Sequence, residues 1–409
     1  MTTAPESPEY HLDVTGSDLH GEVAMLRERG DAVQVMLPGG VSTWVVTRHQ
    51  LLQDLLADNR VGKDARHWRE LHDGTVPEGW PLLDFVTNVG MTTADGQDHR
   101  RLRTLVSQAF TPRRVDAMRP GIEETTHRLL DRLATFPAGE VVDVREHFAY
   151  PLPMGVIGQL LGIPEERYDD FHGLSKSLTS STTPAEEGVQ TRKRMHALLT
   201  ELIAEKRAHP ADDLTSGLIA ATDQGDRLNE QELIGTLILM LVAGHSTTLN
   251  LITNTIRALL AHPDQLKLLT SGQYPWTAAV EETLRWDASV AHFPMRFAIE
   301  DIPLEDVTIR KGDALLASYI AAGRDPRQHG ERADEFDLTR EQTRHLTFGY
   351  GPHFCIGSGL ARLEAAVAVP ALFARFPDLR LAVGDQELTH LPSVVSNSVT
   401  ALPVTLSRG

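Results

Sequence analysis

Two hydrophobic patterns alternate along the chain. From about 98 to 290, apolar residues recur at spacings of three and four, which predicts amphipathic helices. Nearer the N-terminus, Ala32–Met36 and Ser42–Val46 flank a Pro-Gly-Gly sequence, which predicts a β-hairpin, and a helix from about 48 to 57 is expected to follow it. The pattern therefore indicates a mainly α fold with a smaller β portion. Further short strands are predicted near 296–316, 379–383 and 394–407.

The most apolar stretch predicts one long central helix from about 230 to 262. Asn229 and Glu232 have the spacing of a capping box at its start. Residues 237–243 are apolar on every side, so this helix is expected to pass through the core. Gly244 and the hydroxyl residues after it favour either a contact with another helix that needs small residues or a kink.

Charge and apolar content restrict the class of protein. The 409 residues contain 39 Lys and Arg against 56 Asp and Glu, a net charge of −17, which is unfavourable for binding nucleic acid. The chain lacks both the pattern of a signal peptide and an uncharged apolar run of about 20 residues, so we expect a cytoplasmic protein without a membrane anchor. Because no linker divides the chain, we expect an N-terminal extension of residues 1–20 and a single domain over 21–409.

The single cysteine, Cys355, excludes an intramolecular disulfide and a metal site of four cysteines. It lies in a loop with Gly349 and Gly351, just before a helix that the pattern predicts over 358–369. Backbone N–H groups at a helix N-terminus favour a thiolate. From these residues alone, Cys355 is a small buried residue, a nucleophile or an axial ligand to iron.

Two charged patterns also have open interpretations. Glu282 and Arg285 are spaced i, i+3 on a predicted helix, where such pairs are commonly solvated. The segment from His99 to Arg114 holds five arginines and no acidic residue. It is either a solvated helix face or a site for an anion or an acidic partner.

Together these segments resemble the cytochrome P450 family, the haem-thiolate monooxygenases, in order and over nearly the whole chain. The sequence from Phe348 through Gly349, Gly351 and Cys355 to Gly357 is similar to the family's haem-binding loop. Ala243, Gly244, Ser246 and Thr247 match the oxygen-binding groove of the central helix, with Ser246 and Thr247 in the catalytic positions. The resemblance further implies that His99, Arg103, Arg296 and His353 bind the haem propionates and that Glu282, Arg285 and Arg340 form a structural network.

The resemblance also implies a function. It implies a long central helix over haem b, with the Cys355 thiolate on the iron, and one oxygen atom of O2 inserted by hydroxylation or epoxidation. The substrate is expected to be a hydrophobic small molecule such as a steroid, macrolide or polyketide, as in secondary metabolism. A ferredoxin and its reductase are expected to supply electrons to a monomeric protein. Substrate contacts are expected from Phe85, Val86, Met91, Met240, Ala243, Val290, Phe293, Met295 and Val394.

One position departs from the family pattern. The family usually has an acid before the groove threonine, and this chain has Ser246. The acid is thought to relay protons to reduced oxygen, whereas serine has no titratable proton near neutral pH. We expect a water chain through Ser246 and Thr247 to compensate; a substrate hydroxyl or peroxide-driven chemistry are the alternatives.

Three other functions compete with an oxygen-dependent monooxygenase: a peroxygenase of the same fold, a non-catalytic helper protein of that fold and a cysteine hydrolase. Loss of the haem cysteine would favour the helper, but Cys355 is present. A hydrolase needs Cys355 open to substrate, whereas the loop pattern buries it beneath haem.

The basic segment is expected to have two roles. His99 and Arg103 are expected to point inward toward propionates, and the remaining arginines, with no nearby acids, are expected to form a docking surface for an acidic ferredoxin. These docking residues are Arg100, Arg101, Arg113 and Arg114.

Overall fold

The computed structural model describes residues 10–137, 139–220 and 228–406, and it is 56% helical with a smaller sheet portion, as the hydrophobic pattern predicts. The helices in the described residues are α1 Leu19–Arg29, α2 His49–Ala57, α3 Arg69–His72, α4 Leu83–Thr87, α5 Gly96–Ser107, α6 Pro112–Ala117, α7 Arg119–Leu133, α8 Pro151–Leu161, α9 Tyr168–Thr179, α10 Ala185–Ala208, α11 Leu214–Ala220, α12 Glu230–Ala261, α13 Pro263–Thr270, α14 Trp276–Trp286, α15 Tyr319–Gly323, α16 Pro326–His329 and α17 Ser358–Arg375. The strands are β1 Ala32–Leu37, β2 Val41–Val46, β3 Val61–Gly62, β4 Val141–Asp143, β5 His292–Ala298, β6 Ile302–Pro303, β7 Thr308–Ile309, β8 Ala314–Ser318, β9 Arg380–Leu381 and β10 Pro403–Thr405.

The largest sheet has the order β1-β2-β8-β5-β3, and its first two strands are the predicted hairpin. Gly39 and Gly40 in the turn have φ of 77° and 78°, a conformation that favours glycine. β2 then pairs in parallel with β8, so that Trp44 lies opposite Leu315. The N-terminal hairpin and the strands that follow α14 therefore form one sheet.

The short strand predicted near 394–407 is confirmed as β10, which covers only the end of that segment. Only β10 is a strand there, and residue 407 lies outside the described residues. Before β10, Ser396 forms an isolated bridge with Val290, and the N–H of Asn397 donates to the carbonyl of Ser289. The backbone of this segment is thus hydrogen-bonded to the loop that precedes β5, instead of continuing a ladder.

Residues 1–9 of the predicted N-terminal extension lie outside the described residues. From Tyr10 onward the chain is hydrogen-bonded to β1, since Leu12 N donates to Met36 O at 3.0 Å and Met36 N donates to Tyr10 O at 2.8 Å. Leu12 is buried, and α1, which begins at Leu19, packs against α15. A domain boundary near residue 20 stays a prediction.

The long central helix is confirmed as α12. Its capping box is complete, because the Asn229 side chain accepts from the N–H of Glu232 and the Glu232 carboxylate accepts from the N–H of Asn229. The helix packs against α8, α14 and α17. It is long and apolar enough to cross a membrane, but 61% of its most apolar window is buried by the rest of the protein, as in a core helix.

Small residues bring α12 and α8 close together. A Cβ at Gly244 would lie 2.7 Å from Cδ1 of Ile157, closer than side chains pack. The prediction that Gly244 serves a contact between helices is therefore confirmed, and the contact partner is α8.

Candidate active site

Cys355 lies in a loop that glycines shape and that ends at the start of α17. Gly349 and Gly351 have φ of 74° and 72°, in the left-handed region that favours glycine. A Cβ at Gly351 would lie 2.9 Å from the carbonyl oxygen of Leu56, so α2 closely approaches the loop. The N–H of Cys355 donates to the carbonyl of Phe348 at 2.7 Å, which folds the loop back on itself.

Opposing effects act on the pKa of the Cys355 thiol. The side chain has accessible surface although it lies deep inside the protein, so it sits in a recess. Burial raises the pKa of the thiol above its ordinary value of 9.0. Hydrogen bonds from the N–H groups of Gly357 and Ser358, and the charges of Arg103 and Arg362, act in the other direction. The expected N–H groups do favour a thiolate, but burial outweighs them; coordination to a metal ion would deprotonate the thiol outright.

α12 has one open turn within an otherwise buried length. Ala243 is exposed and Ser246 and Thr247 are half-buried, whereas Leu241 before them and Thr248 after them are buried. The Thr247 hydroxyl donates to the carbonyl of Ala243 at 2.7 Å, so its oxygen is left to accept a hydrogen bond. The open turn therefore offers small and hydroxyl-bearing groups to a ligand.

The Cys355 loop shares a hydrophobic cluster with α5 and α12. Ile356 packs against the cluster that contains Leu102 of α5 and Leu237 and Met240 of α12. The recess that holds Cys355 therefore lies alongside both helices.

Basic side chains from three segments meet beside this loop. The imidazole rings of His99, from α5, and His353 lie 4.1 Å apart between centroids. Arg103 Nη2 donates to the carbonyl of Phe354 at 2.6 Å. Burial lowers the pKa of both imidazoles, and the charge of Arg296, from β5 and only 7% exposed, lowers it further. The structure thus brings together the four basic residues that the resemblance assigned to the haem propionates.

This donor set fits a flat ring with two carboxylates at one edge. His99 Nε2 is buried, and no described residue is hydrogen-bonded to it. Arg296 forms no ion pair within 4.0 Å with a carboxylate of residues 10–137, 139–220 or 228–406, and burial lowers its pKa. Because an unpaired buried cation is costly, an anion at this edge would be stabilised.

Lys63 belongs to the same neighbourhood and was absent from the predicted site. It is 2% exposed, and its Nζ donates to the carbonyl of Met295 at 2.8 Å and lies 4.8 Å from the ring centroid of Phe293. Burial and the charge of Arg296 lower its pKa. Nothing in the neighbouring sequence signals this burial, which follows from the pairing of β3 with β5.

Glu282 and Arg285 form a buried ion pair and not a solvated one. Both side chains are 0% exposed, with 2.6 Å between Arg285 Nη2 and Glu282 Oε1 and 2.8 Å between Nε and Oε2. Arg340 Nε lies 3.4 Å from the same Oε1. The network ties α14 to the segment that precedes the Cys355 loop. Arg285 also donates to the carbonyl oxygens of Gly323, Ala333 and Glu335.

A second link from α14 holds the loop itself and was also missed. Glu281 Oε2 accepts from Arg362 Nη2 at 3.0 Å and lies 3.2 Å from His345 Nε2. Burial alone would raise the pKa of Glu281, but the hydrogen bonds from His345 and Arg362 lower it to about 2. The guanidinium carbon of Arg362 lies 4.5 Å from the ring centroid of Phe348, so this pair fixes an aromatic residue of the loop.

The residues predicted to contact substrate lie in three hydrophobic clusters, except Ala243, which is exposed, and their contact with a substrate stays a prediction. Val86, Met295 and Val394 are each 1% exposed, whereas Phe85, Val290 and Phe293 are half-buried. The first cluster holds Phe85, Val86, Val290, Met295 and Val394, the second Met91 and Met240, and the third Val290 and Phe293.

The four arginines predicted to bind a ferredoxin are not equivalent. Arg100, Arg113 and Arg114 are exposed. Arg101 instead forms an ion pair with Glu232, the residue that caps α12, so the expectation that it has no acid nearby is wrong. The two residues are 131 positions apart, and only the packing of α5 beside the start of α12 brings them together.

Comparisons with known proteins agree with this geometry. The family model described as cytochrome P450 matches residues 11–271 and 276–400. The chain is 43% identical over 398 residues to 2-hydroxy-5-methyl-1-naphthoate 7-hydroxylase of Streptomyces carzinostaticus, covering 97% of each chain. It is 38% identical to vitamin D(3) 25-hydroxylase of Pseudonocardia autotrophica, covering 99% of this chain and 98% of the relative.

The fold is also similar to that of solved structures. A structure titled "Testerone bound CYP154C4", from Streptomyces sp. ATCC 11861, is 47% identical and superimposes with a TM-score of 0.95, covering 98% of each chain. Members of this family carry a haem with a thiolate ligand. The chain therefore belongs to the cytochrome P450 family and is an oxygen-incorporating oxidoreductase.

Proposed function

We propose that this protein is a ferredoxin-dependent monooxygenase that inserts one oxygen atom of O2 into a hydrophobic small molecule. The observation that carries the proposal is the recess in which the Cys355 sulfur, accepting from Gly357 and Ser358, lies beside a cluster of basic side chains. The open turn of α12 supplies Thr247 and Ser246 as the catalytic hydroxyls. We further propose that the protein is soluble, monomeric and cytoplasmic and binds neither membrane nor nucleic acid.

Each group of residues has a separate role toward haem b. When bound, a thiolate-ligated haem supplies the activation of O2 and the cleavage of its O–O bond. Cys355 would supply the thiolate ligand, and Phe348, Gly349, Gly357, Ala243 and Gly244 would shape the slot for the ring. His99, Arg103, Arg296 and His353 hold the propionates, which compensates the buried positive charge of Arg296. The network of Glu282, Arg285 and Arg340 keeps the segment before the loop in place.

The substrate is a fused-ring or macrocyclic hydrophobe of steroid, macrolide or polyketide size. Relatives are named for a naphthoate and for vitamin D(3), and a structural neighbour is titled as testerone-bound. The nine predicted contact residues are apolar, with aromatic bulk from Phe85 and Phe293. A substrate-induced spectral shift, screened over steroids, macrolides and polyketides, tests this class; binding only of polar compounds would contradict it.

Cys355→Ser tests the central assignment. The wild-type protein, reduced under carbon monoxide, is expected to show the Soret band of thiolate ligation, and Cys355→Ser is expected to lose it. No second thiolate can take over as ligand in the variant, since Cys355 is the single cysteine of the chain. An unchanged band in Cys355→Ser would refute the ligand assignment and, with it, the proposed chemistry.

The exposed arginines of α5 and α6 are the proposed ferredoxin surface. Arg100→Glu and Arg113→Glu are expected to slow reduction by ferredoxin at low salt, an effect that added salt weakens because it screens the charges. Their haem spectra are expected to stay intact. Arg29→Glu, on α1, serves as the control for a charge change elsewhere. Equal reduction rates for all three variants and wild type would exclude this surface.

A peroxide-driven reaction is the second candidate, and Ser246 is the observation that favours it. Without an acid at this position, the use of peroxide as oxygen donor avoids the need to protonate reduced O2. Product formed from hydrogen peroxide alone, at a rate matching that with NADPH, ferredoxin and reductase, would favour this candidate over the monooxygenase.

A further inference from the structure

A pair of histidines connects Ser246 with α9, a helix that packs against α12. His245 is fully buried, and its Nε2 lies 3.1 Å from Nδ1 of His172, which belongs to α9. The same Nε2 lies 3.3 Å from the hydroxyl oxygen of Ser246. One nitrogen atom of His245 therefore contacts both the outer imidazole and the hydroxyl that stands where the family has an acid.

The hydrogen bonds fix the resting tautomer of His245. Its Nδ1 lies 2.8 Å from the carbonyl oxygen of Leu241, which can only accept, so Nδ1 carries the hydrogen. In the neutral ring, Nε2 is then an acceptor, open to a proton from His172 or from Ser246. Burial lowers the pKa of His245 to about 4, so at neutral pH this lone pair is free.

The outer end of the pair reaches the surface of α9. His172 is half-buried, and Asp169, one turn earlier, is exposed. Burial lowers the pKa of His172 to about 3, as do the charges of His245, Arg145 and Lys176, while Asp169 raises it. Tyr150 packs on His172 with 3.9 Å between ring centroids, and its hydroxyl donates to Asp169 at 2.7 Å. The half-buried ring thus lies between bulk solvent and the buried histidine.

We propose that His172 and His245 form a proton relay from solvent to Ser246, which serves in place of the missing acid. The proposal rests on the proposed monooxygenase function, because insertion of one oxygen atom and release of the other as water consumes two protons and two electrons per O2. Ferredoxin supplies the electrons. The relay supplies the protons one at a time.

Each proton transfer balances without a net change in the side chains. A proton from solvent binds Nε2 of His172, and the hydrogen on Nδ1 of His172 moves to Nε2 of His245. His245, now doubly protonated, passes this proton to the Ser246 oxygen as the Ser246 hydroxyl releases its own hydrogen into the groove. His245 returns to its resting tautomer. His172 is left with its hydrogen on Nε2, and it regains the Nδ1–H tautomer by losing that proton to solvent and taking one from solvent on Nδ1 while the ring is turned outward. Both histidines act through Ser246 and are positioning residues.

The experiment uses the haem-loaded full chain with a surrogate ferredoxin and reductase, with and without testosterone as the probe molecule. His172→Asn keeps a side-chain N–H that can bond to His245 but cannot pass on a proton. The share of consumed O2 that is released as hydrogen peroxide, and the solvent isotope effect on NADPH oxidation, are measured in the Ser246 and the Ser246→Glu backgrounds. His127→Asn, an exposed histidine on α7, is the matched control.

In the Ser246 background, His172→Asn is expected to lower the ratio of water and product to peroxide by about 10²-fold, the low end of what general acid–base help contributes. In the Ser246→Glu background, where the acid is restored, the same replacement is expected to leave that ratio unchanged. His172→Gln repeats the test if the Asn variant folds poorly. Long-range ¹⁵N–¹H spectra of the diamagnetic ferrous–carbon monoxide form are expected to show the Nδ1–H tautomer of His245.

Three results would overturn the relay. An equal change of the ratio in both backgrounds would mean that the histidine pair only holds α9 against α12 and does not deliver protons. No change in either background would remove any role for His172 in proton delivery, and an Nε2–H tautomer of His245 would remove the acceptor. Absence of both the thiolate carbon monoxide band and NADPH-driven O2 consumption in wild type would overturn the proposed function and the relay with it.

Discussion

Replacement of Glu282 by Gln is expected to destabilise the protein strongly, because it leaves a charge unpaired in the interior. Glu282 and Arg285 are both 0% exposed and contact each other through two hydrogen bonds. The replacement keeps the shape of the side chain and its acceptor for the N–H of Asp337, but it removes the negative charge that faces Arg285.

The structure sets the magnitude. Removing one partner of a buried ion pair costs about 3–5 kcal/mol, since the other charge stays buried and uncompensated. Each 1.4 kcal/mol is a factor of ten, so the unfolding equilibrium constant is expected to rise by about 10²–10⁴. This is a large part of the free energy of unfolding of an ordinary domain, about 5–15 kcal/mol.

Arg332 and Glu335 provide a matched control within the same chain. This pair has the same i, i+3 spacing and the same 2.6 Å separation, but its side chains are 59% and 56% exposed. Exposed pairs contribute little because water solvates both charges. Chemical denaturation of Glu282→Gln, Glu335→Gln and wild type, followed by circular dichroism, measures the difference. If Glu282→Gln unfolds at the same denaturant concentration as Glu335→Gln, burial does not give this pair its importance and the reasoning is wrong.

Three further predictions concern single residues. Gly235→Ala is expected to displace the loop around Val89, because a Cβ at this position would overlap the Val89 carbonyl oxygen. Ligand affinity, measured by spectral titration, should change while the carbon monoxide spectrum does not, and Gly155→Ala, which has open space for a Cβ, should change neither. Asp287 is buried, which alone would raise its pKa, but the hydrogen bond from His20 and the charges of Arg257 and Arg324 lower the pKa far below the ordinary 3.8. The stabilisation by this carboxylate is therefore present above pH 3.8 and is lost as the pH falls further. Asp287→Asn should be less stable than wild type at pH 7, and its unfolding midpoint should fall less steeply at acid pH. The pKa of Glu364 is shifted in the opposite direction, since burial without a hydrogen-bond partner for Oε2 among the described residues raises it well above 4.5. The protein therefore loses stability as the pH rises above 4.5. Glu364→Gln should be more stable than wild type at pH 8 but not at pH 4.

The sequence was sufficient where the signal is local. Asn229 and Glu232 mark the start of α12 because a capping box is made by residues three positions apart. The Pro-Gly-Gly turn of the hairpin needs positive φ at consecutive residues, which glycine provides. The recognition of the Cys355 loop depended on a run of ten residues with fixed spacing.

The sequence was insufficient where distant segments meet. Burial of Lys63 depends on β5, more than 200 residues later, and the pair of Arg101 with Glu232 depends on the packing of two helices. His172 carried no local signal, because its partner His245 is 73 positions away. Near 394–407 the sequence predicted a strand without its bounds, because hydrogen bonds to a distant loop occupy the backbone before β10.

The burial of α12 has a consequence for synthesis on the ribosome. α12 ends at Ala261, but α17, one of the helices that covers it, ends at Arg375, 114 residues later. At about 5–20 residues per second, synthesis of these residues takes roughly 6–23 s, during which the apolar faces of the nascent α12 lack their contact with α17. Cys355 emerges only near the end of this interval, so haem cannot be captured earlier to shorten it. Yield in a heterologous host is thus expected to depend on chaperones that shield α12, more than on the supply of haem.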